Sequence, residues 1–358
     1  MSVQVLHVTG ARPNFPKAAP VVRALREHGV VQRLVHTGQH YDERLSDVFF
    51  RQLGLPEPDV NLGVGSGSHA AQTAAVMTAL EPLLLLERPD LVMVYGDINS
   101  TLAAALVAAK LEIPTAHVEA GLRSFNRSMP EEINRLVVDR LADLLFATSP
   151  DAVAHLGREG IPAERIHLVG NPMIDTLLVN LDRFDVARIR TELRLPERYL
   201  VATLHRPANV DEVGDVAELT KAIHSVAGQV PVVMPVHPRG RARLAEAGMF
   251  DHPQVRTVEP MGYVEFLSLV RGAALVITDS GGVQEETTML GVPCLTLRPD
   301  TERPVTITHG TNRLVDRATL AAAVHTTLGQ PPALHRRTPP LWDGRAGERI
   351  ADVVVGLL

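Results

Sequence analysis

The chain has 358 residues, 45% hydrophobic and 21% charged, with a formal net charge of −6. That length exceeds one ordinary core and predicts two domains, and the composition is that of a soluble globular protein. The acidic balance argues against general nucleic-acid or anionic-membrane binding. No apolar run approaches the roughly 18 residues that span a bilayer. The N-terminal MSVQVLHVTG lacks a basic n-region, and the lone Cys294 excludes an intrachain disulfide or a cysteine-cluster metal site. The resulting expectation is a cytoplasmic protein of enzyme size.

Strand and helix signals alternate along the chain. Apolar runs at 3–8, 34–36, 91–95, 115–118, 144–147 and 166–169 read as strands, interleaved with helical patterns such as 18–27, 101–110 and 133–141. Strands this apolar, alternating with helices, predict a parallel sheet covered on both faces. A helix near 174–181 and a charged segment at 182–198 interrupt the rhythm. It then resumes with strands at 199–204, 232–236, 255–258, 275–278 and 294–297, separated by helices at 213–228, 264–271 and 284–290. The fold class is therefore α/β: two doubly wound, Rossmann-like parallel-sheet domains, 1–170 and 171–345, facing across a cleft. The helical pattern at 346–358 crosses back to the first domain. In such sheets ligands bind beyond the carboxyl ends of the strands.

The unusual polar residues fall there. After the first strand, TGARPNFPK (9–17) places Arg12 and Lys17 near a helix start. Lysine occurs only at 17, 110 and 221, which makes Lys17 notable. The pair either neutralises a phosphate or lies on a surface loop. The segment does not match G-x-G-x-x-G, so a dinucleotide cofactor is disfavoured. Asp97, in GDINST (96–101), either caps the next helix or points into the cleft. In HVEAGLR (117–123), strand alternation puts His117 and Glu119 on one side. An acid at the end of an apolar strand is costly to bury without a partner. Glu119 is thus the leading catalytic candidate, the alternative being a structural salt bridge to Arg123. Glu131 and Glu132 open a helix as ordinary dipole complements.

In the second half, His205 and Arg206 follow one strand, His237 the next, and Arg303 sits in TERP (301–304) after a third. A histidine titrates nearest neutral pH and suits proton transfer. The segment LVITDSGGVQEE (275–286) runs from a strand through Asp279-Ser280-Gly281-Gly282 into a helix carrying Glu285 and Glu286. Glycines let the backbone approach a ligand, and a helix start favours a phosphate. An acid one turn later can accept bonds from a ribose diol. This reads as a nucleotide-diphosphate site, against an ordinary βα turn. No H-E-x-x-H, C-x-x-C or G-x-S-x-G occurs.

Taken together these motifs resemble the non-hydrolysing UDP-N-acetylglucosamine 2-epimerases, which share the two-domain GT-B fold. The likeness runs through G-A-R-P…K (10–17), Q-H (39–40), G-D (96–97), H-V-E-A-G-L-R (117–123), P-E-E-I-N-R (130–135) and G-N-P-M-I-D (170–175). It continues through H-R (205–206), P-V-H (235–237), T-D-S-G-G-V-Q-E-E (278–286) and T-E-R-P (301–304). The resemblance implies that Ser280, Gly281 and Gly282, with Arg12 and His205, hold the diphosphate. Glu286 would bind the ribose, and uracil would lie near Pro260, Tyr263 and Phe266. Asp97, Glu119, Glu131 and His205 would form the acid–base set, with Lys17 and Arg303 close to sugar and phosphate. It further implies no bound cofactor, a UDP-sugar substrate and a homodimer.

The implied reaction is reversible epimerisation at C2 of UDP-GlcNAc through UDP elimination, supplying cell-surface polysaccharide precursors. Alternatives are a related UDP-sugar such as UDP-diacetamido-glucuronate, hydrolytic release of ManNAc, a glycosyltransferase requiring an acceptor, or a non-catalytic nucleotide-sugar-binding protein. Two departures bear on the sugar: Arg12-Pro13-Asn14 where many members have Arg-Pro-Glu, and His205-Arg206-Pro207 where His-Arg-x-Glu is commoner. The segment 39–47 lacks the Q-H-R and L-D-Q of substrate-activated members. Weak or absent activation by UDP-GlcNAc is therefore expected.

Overall fold

Continuously apolar strands bury both faces, and here they build two parallel sheets. The structure is a computed structural model that describes residues 4–39, 43–206, 209, 213–236, 238–330 and 338–357; for 43–47, 213, 238 and 239 it describes the backbone alone. His40, Pro207 and His237 lie outside the described residues. The chain divides into two compact units, Met1–Val179 with Pro340–Leu358, and Asn180–Pro339.

The first unit contains β1 (Gln4–Thr9), α1 (Phe15–Glu27), β2 (Val31–His36), α2 (Glu43–Leu53), β3 (Val60–Asn61), α3 (His69–Glu87) and β4 (Leu91–Tyr95). It continues with α4 (Asn99–Lys110), β5 (Thr115–Ala120), α5 (Pro130–Leu141), β6 (Leu144–Ala147), α6 (Pro150–Arg158), β7 (Ile166–Leu168) and α7 (Pro172–Val179). The sheet order is β3-β2-β1-β4-β5-β6-β7, with every pair parallel. One face packs Val5, Met93, Tyr95, Ala116 and Val118 against α1 residues Phe15, Ala18 and Val21. The other packs Leu6, Val8, Val92 and Val94 against α3, α4 and Val138 of α5.

The second unit contains α8 (Val186–Glu192), β8 (Leu200–Thr203), α9 (Val213–Ala227), β9 (Val232–Pro235), α10 (Pro238–Glu246), β10 (Val255–Val258) and α11 (Tyr263–Arg271). Then come β11 (Leu275–Thr278), α12 (Gly281–Leu290), β12 (Cys294–Leu297), α13 (Val305–Thr308), β13 (Asn312–Val315) and α14 (Leu320–Gly329). Its order, β10-β9-β8-β11-β12-β13, repeats that of the first six strands of the first sheet. In each sheet the strand order reverses once, between β1 and β4 and between β8 and β11. Such switch points are where doubly wound sheets bind ligands.

Helix α7 lies past the boundary drawn at residue 170, yet it belongs to the first unit because it packs on α1. The last helix, α15 (Ala346–Leu357), also packs on α1. Gly347 permits this approach: a Cβ there would stand 2.6 Å from the Pro20 carbonyl oxygen. The Gly347 N–H donates to Asp175 Oδ2 at 2.7 Å, and buried Trp342 donates its Nε1–H to Thr148 O at 2.9 Å. Among the described residues no helix is long and apolar enough to cross a membrane.

Candidate active site

At the β1/β4 switch point, Asn14 organises the first loop. Its Oδ1 accepts from the N–H groups of Gly10 (3.0 Å) and Ala11 (3.3 Å), and its Nδ2 donates to Tyr95 O at 2.8 Å. The residue that departs from the family pattern therefore joins β1 to β4. Arg12 is half-buried, its guanidinium 6.0 Å from the centre of the Phe49 ring. Lys17, in the first turn of α1, is buried and forms an ion pair with Glu119 Oε2, itself only 3% exposed. The ammonium compensates a carboxylate that would otherwise be too costly to bury.

The expected alternation along β5 fails at this point, and the failure sets up the site. Val118 pairs with Phe146 and Ala120 with Ala147, leaving Glu119 as the extra residue of a bulge. Its φ of +79° lies in the left-handed region, which costs a non-glycine residue of the order of 1–2 kcal/mol. His117 keeps to the α5 face, whereas the turned backbone delivers Glu119 to Lys17 on the α1 face. Strain of this kind clusters at functional sites. Gly96, with φ +63°, completes the corner: a Cβ there would stand 2.9 Å from Lys17 Nζ and 3.1 Å from Glu119 Oε2. Arg123 does not take Glu119; it pairs instead with Asp139 Oδ2 (2.7 Å) and Glu159 Oε2 (2.7 Å).

Helix α5 holds the loop after β4. Arg135 NH1 lies 2.5 Å from Asp97 Oδ2, and Asn134 Nδ2 donates to Asp97 O at 2.8 Å. Asp97 is thus not the cap of α4; Ile98 occupies that position. Glu132 is structural: its carboxylate accepts from Ser124 N–H (3.0 Å), Phe125 N–H (2.9 Å) and Arg135. Burial would raise its pKa, but Arg135 and those N–H groups hold it below the usual range. Glu131 is half-buried on the same first turn, without a hydrogen-bond or ion-pair partner among the described residues.

In the second unit, the turn after β11 leads into α12 through Ser280, whose N–H donates to Thr278 Oγ1 at 3.0 Å. Gly281 is required by close packing: a Cβ would stand 2.7 Å from Arg303 Cζ and 2.8 Å from Glu302 Oε1. Arg303 is buried between two acids, with Nε 3.0 Å from Glu285 Oε1 and NH1 paired to Glu302. Glu302 also holds Arg298 at 2.7 Å. Arg303 therefore braces the turn. Half-buried Gly282 follows on α12.

Glu286 is buried one turn into α12. Burial and the neighbouring Glu285 charge push its carboxyl up to about 8 despite a hydrogen bond from Tyr263. Tyr263 is buried, its ring edge-on to Phe184 at 6.5 Å, whereas Pro260 and Phe266 are half-buried beside it. His205, at the carboxyl end of β8, is 60% exposed, with Nδ1 3.1 Å from Asp279 Oδ1. Sequence reasoning passed over Asn134, Arg135 and Asp139; their spacing on one face of the helix opened by P-E-E is the signal that could have found them. Among the described residues no cluster of three or more His, Cys, Asp or Glu could hold a metal.

Each sheet thus carries its polar residues at its switch point, carboxylates in the first unit and a glycine turn with a histidine in the second. A family model described as UDP-N-acetylglucosamine 2-epimerase matches residues 23–355. The UDP-N-acetylglucosamine 2-epimerase of Methanocaldococcus jannaschii is 41% identical over 359 residues, covering 97% of each chain. A UDP-2,3-diacetamido-2,3-dideoxy-D-glucuronate 2-epimerase of Pseudomonas aeruginosa is 39% identical, covering 99% of this chain and 100% of the relative. The crystal structure of the M. jannaschii enzyme in complex with UDP-GlcNAc and UDP superposes with a TM-score of 0.93 at 40% identity, over 99% of this chain and 100% of that one. Likeness of this extent in sequence and in fold, with the same two sheets underlying it, places the chain in the UDP-N-acetylglucosamine 2-epimerase family.

Proposed function

We propose that this chain interconverts UDP-GlcNAc and UDP-ManNAc by eliminating and re-adding UDP. C2 of the sugar is not adjacent to a carbonyl, so its proton is barely acidic. When the C1–O bond breaks, its electron pair leaves with UDP, and the oxocarbenium character at C1 acidifies the C2 proton. An enzyme carboxylate takes that proton, giving 2-acetamidoglucal and UDP. Return of UDP to C1, with protonation of C2 on the opposite face, gives the manno epimer. Two faces exchange protons, which calls for more than one carboxylate; Asp97, Glu119 and Glu131 supply them.

In the second unit the Ser280–Gly281–Gly282 turn, with His205, takes the diphosphate, whose charge grows as the bond breaks. Glu286 takes the ribose and the Pro260–Phe266 segment the uracil. Lys17 lies close to the sugar and balances Glu119. Arg303 acts by shaping the anion turn. The observation that carries the reading is Glu119: a buried carboxylate turned by a left-handed residue onto Lys17 at the carboxyl end of a central strand.

The P. aeruginosa relative favours a second reading, the same chemistry on a UDP-diacetamido-glucuronate. Incubation with each nucleotide sugar, followed by proton NMR of the anomeric signals, decides between them. A UDP-linked manno signal from UDP-GlcNAc supports the first reading. Free ManNAc, or no change until an acceptor is added, would refute it.

A further inference from the structure

Asp279 is fully buried at the end of β11, immediately before the anion turn, and no role above uses it. Its Oδ2 accepts from the backbone N–H groups of His205 (3.0 Å) and Arg206 (2.9 Å) and from Asn209 Nδ2 (3.0 Å). Its Oδ1 stands 3.1 Å from His205 Nδ1. Burial alone would raise its pKa, but His205, Asn209 and the Arg206 N–H bring the carboxyl down to about 2. An ionised carboxylate only accepts, so the His205 nitrogen facing it carries a proton. A proton held on Nδ1 makes Nε2 the nitrogen through which the ring can pass a proton to a ligand.

We propose that Asp279 is a positioning residue acting through His205. It fixes the Nδ1 proton and the ring orientation, so that imidazolium Nε2 gives its proton to a diphosphate oxygen as the C1–O bond breaks and recovers it when UDP returns. This rests on the epimerase reading above. The carboxylate also ties His205, Arg206 and Asn209 to the end of β11, next to Ser280, setting His205 against the diphosphate turn. The other charges around it are Arg206, with NH2 3.8 Å from Glu302 Oε1, and Arg317, 3.5 Å from Asn209 Oδ1 and paired with Asp215 and Glu218. Arg303 lies beyond Glu302. The arginines oppose an imidazolium, and among the described residues Asp279 is an anion in direct contact with the ring.

Asp279→Asn is the test. The asparagine oxygen still accepts the N–H groups, but its NH2 donates to Nδ1 and reverses the tautomer. We expect kcat to fall about 10²–10⁴-fold, KM and UDP affinity to stay within about threefold, and the alkaline limb of the pH–rate profile to move to lower pH. Asp279→Asn/His205→Gln should be no slower than His205→Gln alone, because the two act as one unit. An unchanged kcat and pH profile, or multiplicative losses in the double variant, would overturn the proposal. ¹⁵N NMR of wild type, with the His205 signal assigned by its loss in His205→Gln, reads the tautomer independently of turnover. Nδ1 protonated throughout the titration supports the proposal and Nε2–H neutral imidazole overturns it, whether or not UDP-GlcNAc is the substrate.

Discussion

His117 Nδ1 lies 2.6 Å from Asp139 Oδ1, and its Nε2 lies 2.8 Å from the carbonyl oxygen of Gly96. A histidine on β5 thus connects the last turn of α5 to the left-handed corner after β4, where Lys17 and Glu119 meet. Asp139 also accepts from the Gly121 N–H at 3.0 Å and from Arg123 at 2.7 Å. Burial would raise its pKa, but His117 and Arg123 hold it below the usual carboxylate range. Removing one partner of a buried ionic network leaves the others uncompensated. Asp139→Ala should lower the unfolding free energy by about 3–5 kcal/mol, read by urea denaturation near pH 7. Because a depressed carboxyl stabilises the fold above its unfolded pKa, that deficit should shrink as pH falls below about 4.

Glu119→Gln removes the carboxylate while preserving shape. Turnover and C2 proton exchange should fall by roughly 10²–10⁴, and UDP affinity should stay within about tenfold. Unchanged turnover would remove Glu119 from the chemistry.

Gly96→Ala probes the corner itself. An alanine there must adopt a positive φ and place its methyl 2.9 Å from Lys17 Nζ. The backbone strain alone is of the order of 1–2 kcal/mol, and relieving the crowding separates Lys17 from Glu119. C2 exchange should drop at least tenfold with UDP binding intact. Wild-type exchange rates would show that the pair needs no such corner.

Glu286 makes a prediction about pH. Its carboxyl rises from the usual range to about 8 in the folded chain. The folded state therefore holds this proton more tightly than the unfolded chain, so stability declines as pH climbs from about 4.5 to about 8. Glu286→Gln carries no such penalty. Its stability relative to wild type should increase between pH 5 and pH 9 in thermal or urea unfolding; a difference independent of pH would contradict the burial argument.

Much of this was legible in the sequence for physical reasons. β4, β6, β11 and β12 coincide with the apolar runs because strands buried on both faces admit few polar residues. Two of the edge strands, β3 and β13, escaped notice: Val60–Asn61 is two residues long, and Asn312–Val315 begins with two polar side chains. Helix α3 is apolar around most of its circumference, which leaves no 3.6-residue period to detect. Among site residues, Glu119 stood out because an acid ends an apolar strand. Its direction did not, because a bulge is invisible to an argument from alternation. Asp279 was hidden for a related reason: it serves partners more than seventy residues away in sequence, through backbone N–H groups no spacing rule reports.

The reaction is tested most directly by incubating the protein with UDP-GlcNAc in heavy water and following C2 by NMR. UDP-ManNAc carrying deuterium at C2 is expected, with the label appearing no more slowly than the manno product. A manno product that retains protium at C2 would contradict proton removal by the enzyme's carboxylates.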